Sequence, residues 1–309
     1  MKSLIIGTRG SPLALWQAHH IKARIERARP GLSVGIKTIQ TQGDKILDTP
    51  LAMVGGKGLF VKEIEKELID GAIHLAVHSM KDVPTQLPEE LEISVIGERE
   101  DPRDALLAPS GADDFAKLPK NARVGTSSLR RQAQLMALRP DVSIIPLRGN
   151  VGTRIRKMTD EKLDAILLAA AGLIRMEQSD LITAYLDTET FIPAVAQGAL
   201  GIETRREDKA TYEIIKFLNH DITAQAVAAE RAFLARLEGG CQVPIAGHAT
   251  IADGRLTLAG LVGAVDGSVI FKDKITGRAE DGAALGVTLA EKLLSMGGGK
   301  VLEEVYGAR

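Results

Sequence analysis

The sequence predicts an α/β fold of two lobes that is followed by a small α+β domain. Three stretches share one order: an apolar strand, a short loop rich in Gly, Ser, Thr and Arg, and then a helix. Strands that alternate with helices favour sheets of parallel strands. Beyond about residue 220 the order changes to a helix followed by alternating apolar runs, which indicates antiparallel strands. At 309 residues the chain exceeds the size at which a single hydrophobic core stops growing, so we expect two or three domains.

The three stretches place loops at the carboxyl ends of their strands. The predicted strands lie at 4–6, 123–125 and 143–147, and the helices that follow them lie at 13–27, 129–138 and 152–158. Ser11 suits the N-cap of the first helix, and Pro12 suits its first helical position. Because ligands of such sheets bind outside the carboxyl ends of the strands, these are candidate binding loops.

Further segments complete the two lobes. Residues 72–79 and 164–171 predict buried strands, and residues 59–70 predict an amphipathic helix. The pattern breaks at Pro102 and Pro193, where we expect the chain to cross to a second lobe and to return to the first. The predicted domains are 1–98 with 199–216, then 104–192, and finally 221–309.

Two dipeptides predict hairpins in the last domain. Asp253-Gly254 and Asp266-Gly267 each lie between alternating apolar runs, and such pairs favour tight turns between antiparallel strands. A helix over about 281–296 would cover one face of that sheet.

The composition excludes several classes of protein. The formal net charge is -1 and aromatic residues make up 3% of the chain, which disfavours a nucleic-acid-binding surface. The apolar run at the N-terminus is interrupted by Gly7, Arg9 and Pro12, so we expect no signal peptide. No segment is long and apolar enough to span a bilayer. We therefore expect a cytoplasmic protein without nucleic-acid or membrane partners.

The chain has one cysteine, Cys241, just beyond a predicted helix over 224–237. Gly239 and Gly240 end that helix, because glycine adopts the left-handed conformation without a side-chain clash. A single cysteine excludes a disulfide within the chain and fits a reducing compartment. A lone cysteine is more often a buried apolar residue than a reactive one, and the local sequence leaves both interpretations open.

Arginine recurs where predicted strands end and helices start. A helix N-terminus offers unpaired N–H groups and the positive end of a dipole, and a guanidinium adds two-pronged binding of a carboxylate or phosphate. A single arginine is usually a solvated surface charge, but the shared placement predicts a polyanionic ligand. The residues are Arg9, Arg130, Arg131, Arg148, Arg154 and Arg175.

Asp82 is a candidate for proton transfer. It directly follows the predicted strand 72–79, and Pro84 fixes the turn after it. A carboxylate at the end of a strand can donate or accept a proton or stabilise a cation. An exposed ion pair with Lys81 explains the sequence equally well and would matter little.

Two other features concern metals and lids. His74 and His78 are four residues apart, but their segment reads as a strand and no further ligand pattern accompanies it, so we expect no metal site. The long glycine-containing loop over 41–58 is typical of a lid or binding loop.

Eight motifs resemble, in the same order, those of the porphobilinogen deaminase family, also known as the hydroxymethylbilane synthases. They are IGTRGSPLALWQA, GGKGLFVKEIE, AVHSMKDVP, EREDPRDALL, VGTSSLRRQAQL, LRGNVGTRIRK, FIPAVAQGALGIE and LEGGCQVPI. The motifs span essentially the whole chain, and together they are far more specific than any one of them. The compact third domain is similar to that of bacterial members of the family.

The resemblance implies two doubly wound lobes like those of periplasmic binding proteins, plus a small α+β domain with an antiparallel sheet. It implies a transferase of haem and tetrapyrrole biosynthesis that deaminates four porphobilinogen molecules and joins them head to tail. Hydrolysis would then release hydroxymethylbilane. The primer would be a dipyrromethane cofactor, held by a thioether to Cys241 in the third domain. The enzyme would need no metal and would act as a monomer.

The family match also assigns residues to roles. The catalytic residues would be Asp82, Lys81, Arg9 and Ser11. The cofactor would be bound by Cys241, Lys81, Asp82, Thr126, Ser128, Arg130, Arg131 and Arg154. Substrate rings would be bound by Arg9, Ser11, Gln17, Phe60, Arg148, Arg154, Arg175 and Gln197, with Phe60 packed on a pyrrole ring and the 41–58 loop covering the site.

Two alternatives are also compatible with parts of the sequence. A two-lobed, non-catalytic protein that binds a small anion would use the lobes and the arginines, but it gives Cys241 no role. An enzyme with Cys241 as nucleophile and His248 as base would use the thiol in turnover.

Overall fold

The computed structural model describes residues 2–45, 61–238 and 243–307. In chain order the strands are β1 (Ser3–Thr8), β2 (Ser33–Thr38), β3 (Leu75–Ser79), β4 (Leu91–Ile96), β5 (Asp104–Leu107), β6 (Arg123–Gly125), β7 (Ser143–Ile145), β8 (Ala165–Ala169), β9 (Ala184–Tyr185), β10 (Leu200–Arg205), β11 (Ile245–Ala252), β12 (Arg255–Gly263) and β13 (Ile270–Arg278). The α-helices are α1 (Pro12–Ala28), α2 (Gln42–Lys45), α3 (Lys62–Ile69), α4 (Leu129–Leu138), α5 (Val151–Asp160), α6 (Ala170–Arg175), α7 (Lys209–Ile215), α8 (Asp221–Arg236), α9 (Gly282–Leu293) and α10 (Gly299–Gly307).

The described residues of 1–100, together with 199–224, form one compact unit, here called the first unit. Its sheet has the order β2-β1-β3-β10-β4. Strand β1 is parallel to β2 and β3, whereas β10 is antiparallel to β3 and β4. Helix α1 packs its apolar side on this sheet, and the core contains the buried side chains of Leu4, Ile6, Ile21, Ile25 and Leu75.

Residues 101–198 and the described residues of 225–309 form the second unit. One of its sheets repeats the same plan in the order β7-β6-β8-β5-β9, with β6 parallel to β7 and β8 and with β5 antiparallel to β8 and β9. The other sheet is the antiparallel series β11-β12-β13. Asp253 and Gly254 turn between β11 and β12 with φ of 49° and 72°, a conformation that tight hairpins require.

The predicted fold class is confirmed: the described residues form two α/β sheets and, in addition, a smaller antiparallel sheet next to helices. Both α/β sheets are mixed, however, where the alternation of strands and helices favoured parallel strands. The antiparallel members β5 and β10 are the first strands after the chain passes from one unit to the other, near residues 101 and 199. Because no βαβ crossover precedes them, the rule that makes such strands parallel does not apply.

The three helix starts predicted from local sequence are confirmed. Ser11 Oγ accepts a hydrogen bond from Ala14 N at 3.3 Å, and Pro12 occupies the first turn of α1. The N-caps of α4 and α5 are Ser128 and Asn150, which is expected because their side chains accept hydrogen bonds from the first helical turn.

Some bounds differ from the prediction. The buried strand expected over 72–79 begins at Leu75, and the last predicted helix ends at Leu293, followed by an irregular turn in which Gly297 has φ of 120°. The contacts group the third sheet with 101–198, so a separate domain over 221–309 stays a prediction. In the described part of the chain no helix is long and apolar enough to cross a membrane.

Candidate active site

A pocket lies in the first unit, at the carboxyl ends of β1 and β3. It has a volume of about 460 Å³, part of which is open to solvent. Apolar residues of α1, β3 and α3 form part of its wall, and the polar residues that line it are Arg9, Ser11, Gln17, His78, Ser79 and Asp82. The structure thus brings together four side chains that the sequence predicted for a site, namely Arg9, Ser11, Gln17 and Asp82.

The loop after β1 places the cation of Arg9 and the N-terminus of α1 at this pocket. Arg9 is half-buried and directly follows β1, and Ser11 caps α1 two residues later. Thr8 Oγ1 donates to Ala14 O at 3.1 Å, which fixes the strand end against the first turn of the helix. The guanidinium and the positive end of the helix dipole both favour an anion here.

Asp82 is held on a short, anchored turn. It ends the 3₁₀ turn Met80–Asp82, which follows β3 without a break. Met80 N donates to Ala199 O at 3.0 Å, and the Met80 side chain is buried. A Cβ at Gly201 would collide with Met80 Sδ, so the glycine on β10 makes room for this anchor. The half-buried carboxylate therefore faces the pocket from a rigid support.

A hydrogen bond joins the two sides of the pocket. Gln17 Nε2 donates to Ser79 Oγ at 2.8 Å, and Gln17 is buried. This bond ties α1 to the end of β3, one residue before the turn that carries Asp82. Gln17 is thus a lining residue, as predicted, and it also positions the neighbouring strand.

The pocket borders a buried acid–histidine cluster. His78 Nε2 lies 2.9 Å from Glu203 Oε2, and both side chains are buried. Glu65 on α3 is 8% exposed, and its pKa is raised from 4.5 to about 7 by burial first and by the charge of Glu203 second. Glu203 Oε1 is buried and has no hydrogen-bond partner among the described residues.

The second unit contains a buried ion cluster around Asp104. Arg130 donates from both terminal nitrogens to the two Asp104 oxygens, at 2.6 and 3.1 Å. Arg131 Nε and Nη2 donate to Asp104 Oδ1 at 3.0 and 2.8 Å. Burial alone would raise the pKa of Asp104, but the two guanidinium charges hold it well below its usual range. The cluster has two cations for one anion.

The segment over 192–198 is fixed by several side chains at once. Gln197 Nε2 donates to Pro102 O at 2.7 Å and to Asp104 Oδ1 at 3.0 Å, and Arg175 Nη2 donates to Gly198 O at 2.6 Å. Ala196 has φ of 58°, which is unusual without a glycine, and its N–H donates to Glu230 Oε2 at 2.5 Å. The hydrogen bonds of Gln197 and Arg175 described above are made with other residues of the second unit.

The other predicted residues that the structure describes in the second unit lie in or next to two neighbouring loops, with Arg154 in the first turn of α5. Thr126 and Ser128 follow β6, and Ser128 N donates to Thr126 Oγ1 at 3.2 Å. Arg148 and Arg154 are half-buried, and Arg154 Nε donates to Gly149 O at 2.8 Å. The loops are joined because Leu147 N donates to Ser127 Oγ at 2.9 Å.

Several predicted features lie outside the described residues. These are Cys241 and its flanking glycines, Phe60, and most of the 41–58 loop. The cofactor and substrate roles assigned to Lys81, Arg130, Arg131 and the other residues stay predictions. Within the described ranges no group of three His, Cys, Asp or Glu side chains is placed to hold a metal ion.

Three buried acids in or near these clusters were not predicted from the sequence: Asp104, Glu203 and Glu65. Asp104 stands in a run of charged residues that reads as surface, and only its place before the apolar Ala105-Leu106-Leu107 hints at burial. Glu203 is the one acid in an apolar strand, which is a usable signal. Glu65 lies on an amphipathic helix where acids are common, and nothing local separates it from Glu63.

Comparisons with known proteins cover almost the whole chain. A family model described as "Porphobilinogen deaminase, dipyromethane cofactor binding domain" matches residues 4–213, and one described as "Porphobilinogen deaminase, C-terminal domain" matches 224–295. A porphobilinogen deaminase of Geobacter sulfurreducens is 55% identical, over 99% of this chain and 96% of that protein. A porphobilinogen deaminase of Trichlorobacter lovleyi is 56% identical, over 99% and 97%.

Two solved structures resemble this chain less closely than these relatives do. The L-cystine solute receptor of Neisseria gonorrhoeae, in its unliganded open conformation, has a TM-score of 0.39 and 12% identity over 74% of this chain and 90% of that chain. The Bordetella pertussis BvgS periplasmic VFT2 domain has a TM-score of 0.42 and 13% identity over 75% and 92%. These likenesses say nothing about what this chain binds.

The first prediction concerns Asp104. In Asp104→Asn two buried guanidinium groups lose their counter-charge, so we expect a loss of about 3–5 kcal/mol in the free energy of unfolding. The measurement is thermal and denaturant unfolding. The control is Asp113→Asn, because Asp113 pairs with Lys117 at the surface and its loss should leave the melting temperature unchanged. Equal melting temperatures for both variants would contradict the importance of the cluster.

The second prediction concerns Glu65. Because its folded pKa is about 7 against 4.5, the folded chain binds this proton more tightly than the unfolded chain does. The stabilisation is complete below pH 4.5 and is lost as the pH rises through 7, by about 3 kcal/mol in total. Glu65→Gln should remove this fall, as measured by urea unfolding between pH 5 and 8. Parallel stability curves for the two proteins would show that Glu65 titrates normally.

Proposed function

This chain belongs to the porphobilinogen deaminase family, and from that membership and the pocket in the first unit we infer its reaction. The chain joins four porphobilinogen molecules head to tail, with loss of ammonia at each addition, and releases hydroxymethylbilane by hydrolysis. The observation that carries this proposal is the meeting of Asp82, Arg9 and the capped N-terminus of α1 in one pocket. In that pocket an acid–base group, the carboxyl of Asp82, lies next to a helix N-terminus and an arginine that favour anions.

Each unit by itself contains groups that suit a dipyrromethane with its acetate and propionate groups. In the second unit, the hydroxyl groups of Thr126 and Ser128 lie before α4 and Arg154 lies in α5, and the Asp104 cluster has two cations for one anion. In the first unit, the carboxylate of Asp82 can accept a hydrogen bond from a pyrrole N–H. When bound through Cys241, the cofactor supplies the unsubstituted pyrrole α-carbon to which the first substrate ring is joined. The residues that would hold it are Lys81, Asp82, Thr126, Ser128, Arg130, Arg131 and Arg154.

Arg9 and Ser11 would orient the substrate by its carboxylates. A guanidinium matches a carboxylate with two parallel hydrogen bonds, and the start of α1 adds the positive end of the helix dipole. Each charge-assisted hydrogen bond contributes about 1.5–3 kcal/mol. Because the turn with Asp82 is rigid, this binding places the aminomethyl group of the substrate in a defined position relative to the carboxylate.

Asp82 would act on the aminomethyl group and on the pyrrole nitrogen. Ammonia leaves with the electron pair of its C–N bond, so positive charge develops on the methylene carbon and the conjugated ring nitrogen of the substrate. A fixed carboxylate stabilises that charge, and it accepts or returns a proton as the leaving group departs and the new C–C bond forms. The same negative charge holds the substrate ammonium group before the reaction.

The family membership favours polymerisation over the two alternatives from sequence. A non-catalytic anion-binding protein would not need the acid–base group at the end of β3. In a thiol enzyme His248 would have to activate Cys241, but His248 is buried on β11 with its Nδ1 3.6 Å from Glu230 Oε1. We also propose that the chain acts as a monomer in the cytoplasm, where a single cysteine fits a reducing environment.

The third prediction concerns the tether. Mass spectrometry of the denatured protein should show an addition equal to two porphobilinogen units minus two ammonia molecules. Cys241→Ala should lack this addition and should be inactive, because the primer has no attachment point. An active wild-type protein without the addition would contradict the proposed role of Cys241.

The fourth prediction concerns Asp82. Asp82→Asn keeps the shape of the side chain but removes its charge and its basicity, so kcat should fall by about 10²–10⁴-fold. Product formation is measured by steady-state kinetics with porphobilinogen. Asp82→Glu, which retains the carboxylate, should recover part of the loss. Turnover of Asp82→Asn close to that of the wild type would remove Asp82 from the mechanism.

A further inference from the structure

Glu230 is a fully buried acid that has no part in the reaction as described so far. It lies on α8, and its two carboxylate oxygens accept hydrogen bonds from two separate backbone N–H groups. Oε2 accepts from Ala196 N at 2.5 Å, and Oε1 accepts from Ala249 N at 2.7 Å. The imidazole of His248 is near, but its Nδ1 is 3.6 Å from Oε1, which is too long for a hydrogen bond. One buried carboxylate thus binds the backbone of two segments that are distant in the sequence.

The segment over 192–198 docks against an edge strand. Strand β11 is at the edge of the three-stranded sheet, and two of its N–H groups are bound by groups outside that sheet. Gly247 N donates to Pro193 O at 3.1 Å, and two residues later Ala249 N donates to Glu230. The N–H groups that an edge strand leaves unpaired therefore hold this segment and helix α8 in place.

Ala196 has a backbone conformation that needs support. Its φ is 58°, in the left-handed region where an alanine Cβ comes too close to the following carbonyl oxygen. Among the described residues other than glycine, five more have a positive φ, and all five are exposed, whereas Ala196 is 1% exposed. Strained backbone persists only where its surroundings impose it, and it is common at functional sites. The hydrogen bond to Glu230 is a contact that favours this conformation.

The same segment contacts Arg130, directly at one end and through Asp104 at the other. At the first end, Ile192 O accepts a hydrogen bond from Arg130 Nη1 at 2.8 Å. At the second end, Gln197 Nε2 donates to Asp104 Oδ1 at 3.0 Å, and the two Asp104 oxygens bind the terminal nitrogens of Arg130. Ala196 lies between these ends and directly precedes Gln197. Its conformation therefore decides whether the Gln197 side chain reaches Asp104.

We propose that Glu230 is a positioning residue of the polymerisation, which fixes the guanidinium groups of Arg130 and Arg131 for the carboxylates of the dipyrromethane. Arg131 is included because its Nε donates to Asp104 Oδ1 at 3.0 Å, the oxygen that Gln197 also binds. Since Glu230 is fully buried, it acts through the segment over 192–198 and not by contact with a ligand. The inference rests on the proposed function, because it requires that the two arginines bind the cofactor.

Glu230→Gln changes the hydrogen bonds of this carboxylate but keeps the size of the side chain. The amide nitrogen is a donor, so only one oxygen is left for the two backbone N–H groups. Without its acceptor, Ala196 returns to the right-handed conformation that alanine prefers. The side chain of Gln197 then leaves Asp104, and the guanidinium groups lose the arrangement that suits a carboxylate.

The fifth prediction compares kcat/KM for porphobilinogen per chain that carries the dipyrromethane, with the loaded fraction taken from mass spectrometry. Glu230→Gln should lose about tenfold, the value of one hydrogen bond to a charged group. When Ala196→Gly is added to Glu230→Gln, about fivefold should return, because glycine adopts a positive φ without a clash. The matched control is Glu291→Gln, which removes an exposed partner of Arg236 on α8 and should match the wild type.

The amide protons of the Gln197 side chain give a readout that does not depend on turnover. In the labelled holoenzyme they should exchange slowly with solvent, because Nε2 donates to two acceptors within the second unit. Glu230→Gln should shift their NMR signals and speed their exchange, and the addition of Ala196→Gly should reverse both changes. Glu291→Gln should leave the signals where they are.

A Glu230 that serves only the fold gives different results. Glu230→Gln would then melt at a lower temperature, but its folded, loaded chains would keep the wild-type kcat/KM and the wild-type Gln197 signals, and this result would overturn the proposal. A lack of recovery with Ala196→Gly would also overturn it. If Glu230→Gln folds but carries no dipyrromethane, Ala196→Gly should restore the loading.

Glu230→Asp is the second variant, because it keeps the charge but is one methylene too short to reach both N–H groups; it should also lower kcat/KM. If neither variant folds, the carboxylate serves the fold alone and the proposal is wrong. If the wild type makes hydroxymethylbilane and both variants match it, only the positioning role fails. If the wild type makes no hydroxymethylbilane, the proposed function fails, whatever the Gln197 signals show.

Discussion

The salt bridge between Asp104 and two adjacent arginines is the interaction on which the second unit depends most. Asp104 is the first residue of β5, Arg130 and Arg131 lie in the first turn of α4, and Gln197 lies in the segment before β10. One carboxylate thus fixes a strand, a helix start and a loop with left-handed backbone against one another. A buried charge is tolerated only when it is paired and hydrogen-bonded, so each of these elements depends on the others.

The cluster also concentrates positive charge locally in a chain whose formal net charge is -1. Every ring that the family's reaction adds carries two carboxylates, and no general positive field is present to attract them. The positive charge must be local and in place before the ligand arrives. If Arg130 and Arg131 have the proposed role, their charge would be preorganised, because Asp104 holds their geometry and cancels only half of their charge.

Local sequence was sufficient for those parts of the structure that depend on local rules. Ser11, Ser128 and Asn150 precede helices because a side-chain oxygen can cap the first turn. Asp82 lies in a turn because it follows the end of a strand and precedes Pro84. The direction of β5 and β10 and the burial of Glu65 depend on strands that are distant in the sequence. No periodicity or motif reports such pairings, so the cluster beside the pocket was not predicted from the sequence.

The antiparallel direction of β10 has a consequence for the site itself. Because β10 runs against β3, its first residues lie beside the carboxyl end of β3, with Leu200 paired to Ser79. The pocket lies at that end. The residues just before and within β10 therefore contact Met80: the carbonyl of Ala199 accepts a hydrogen bond from Met80 N, and Gly201 leaves room for the Met80 side chain. If β10 were parallel to β3, the last residues of β10 would lie beside the carboxyl end of β3 instead. The reversal of β10 is therefore what makes the turn with Asp82 rigid, and the same strand carries Glu203 to His78.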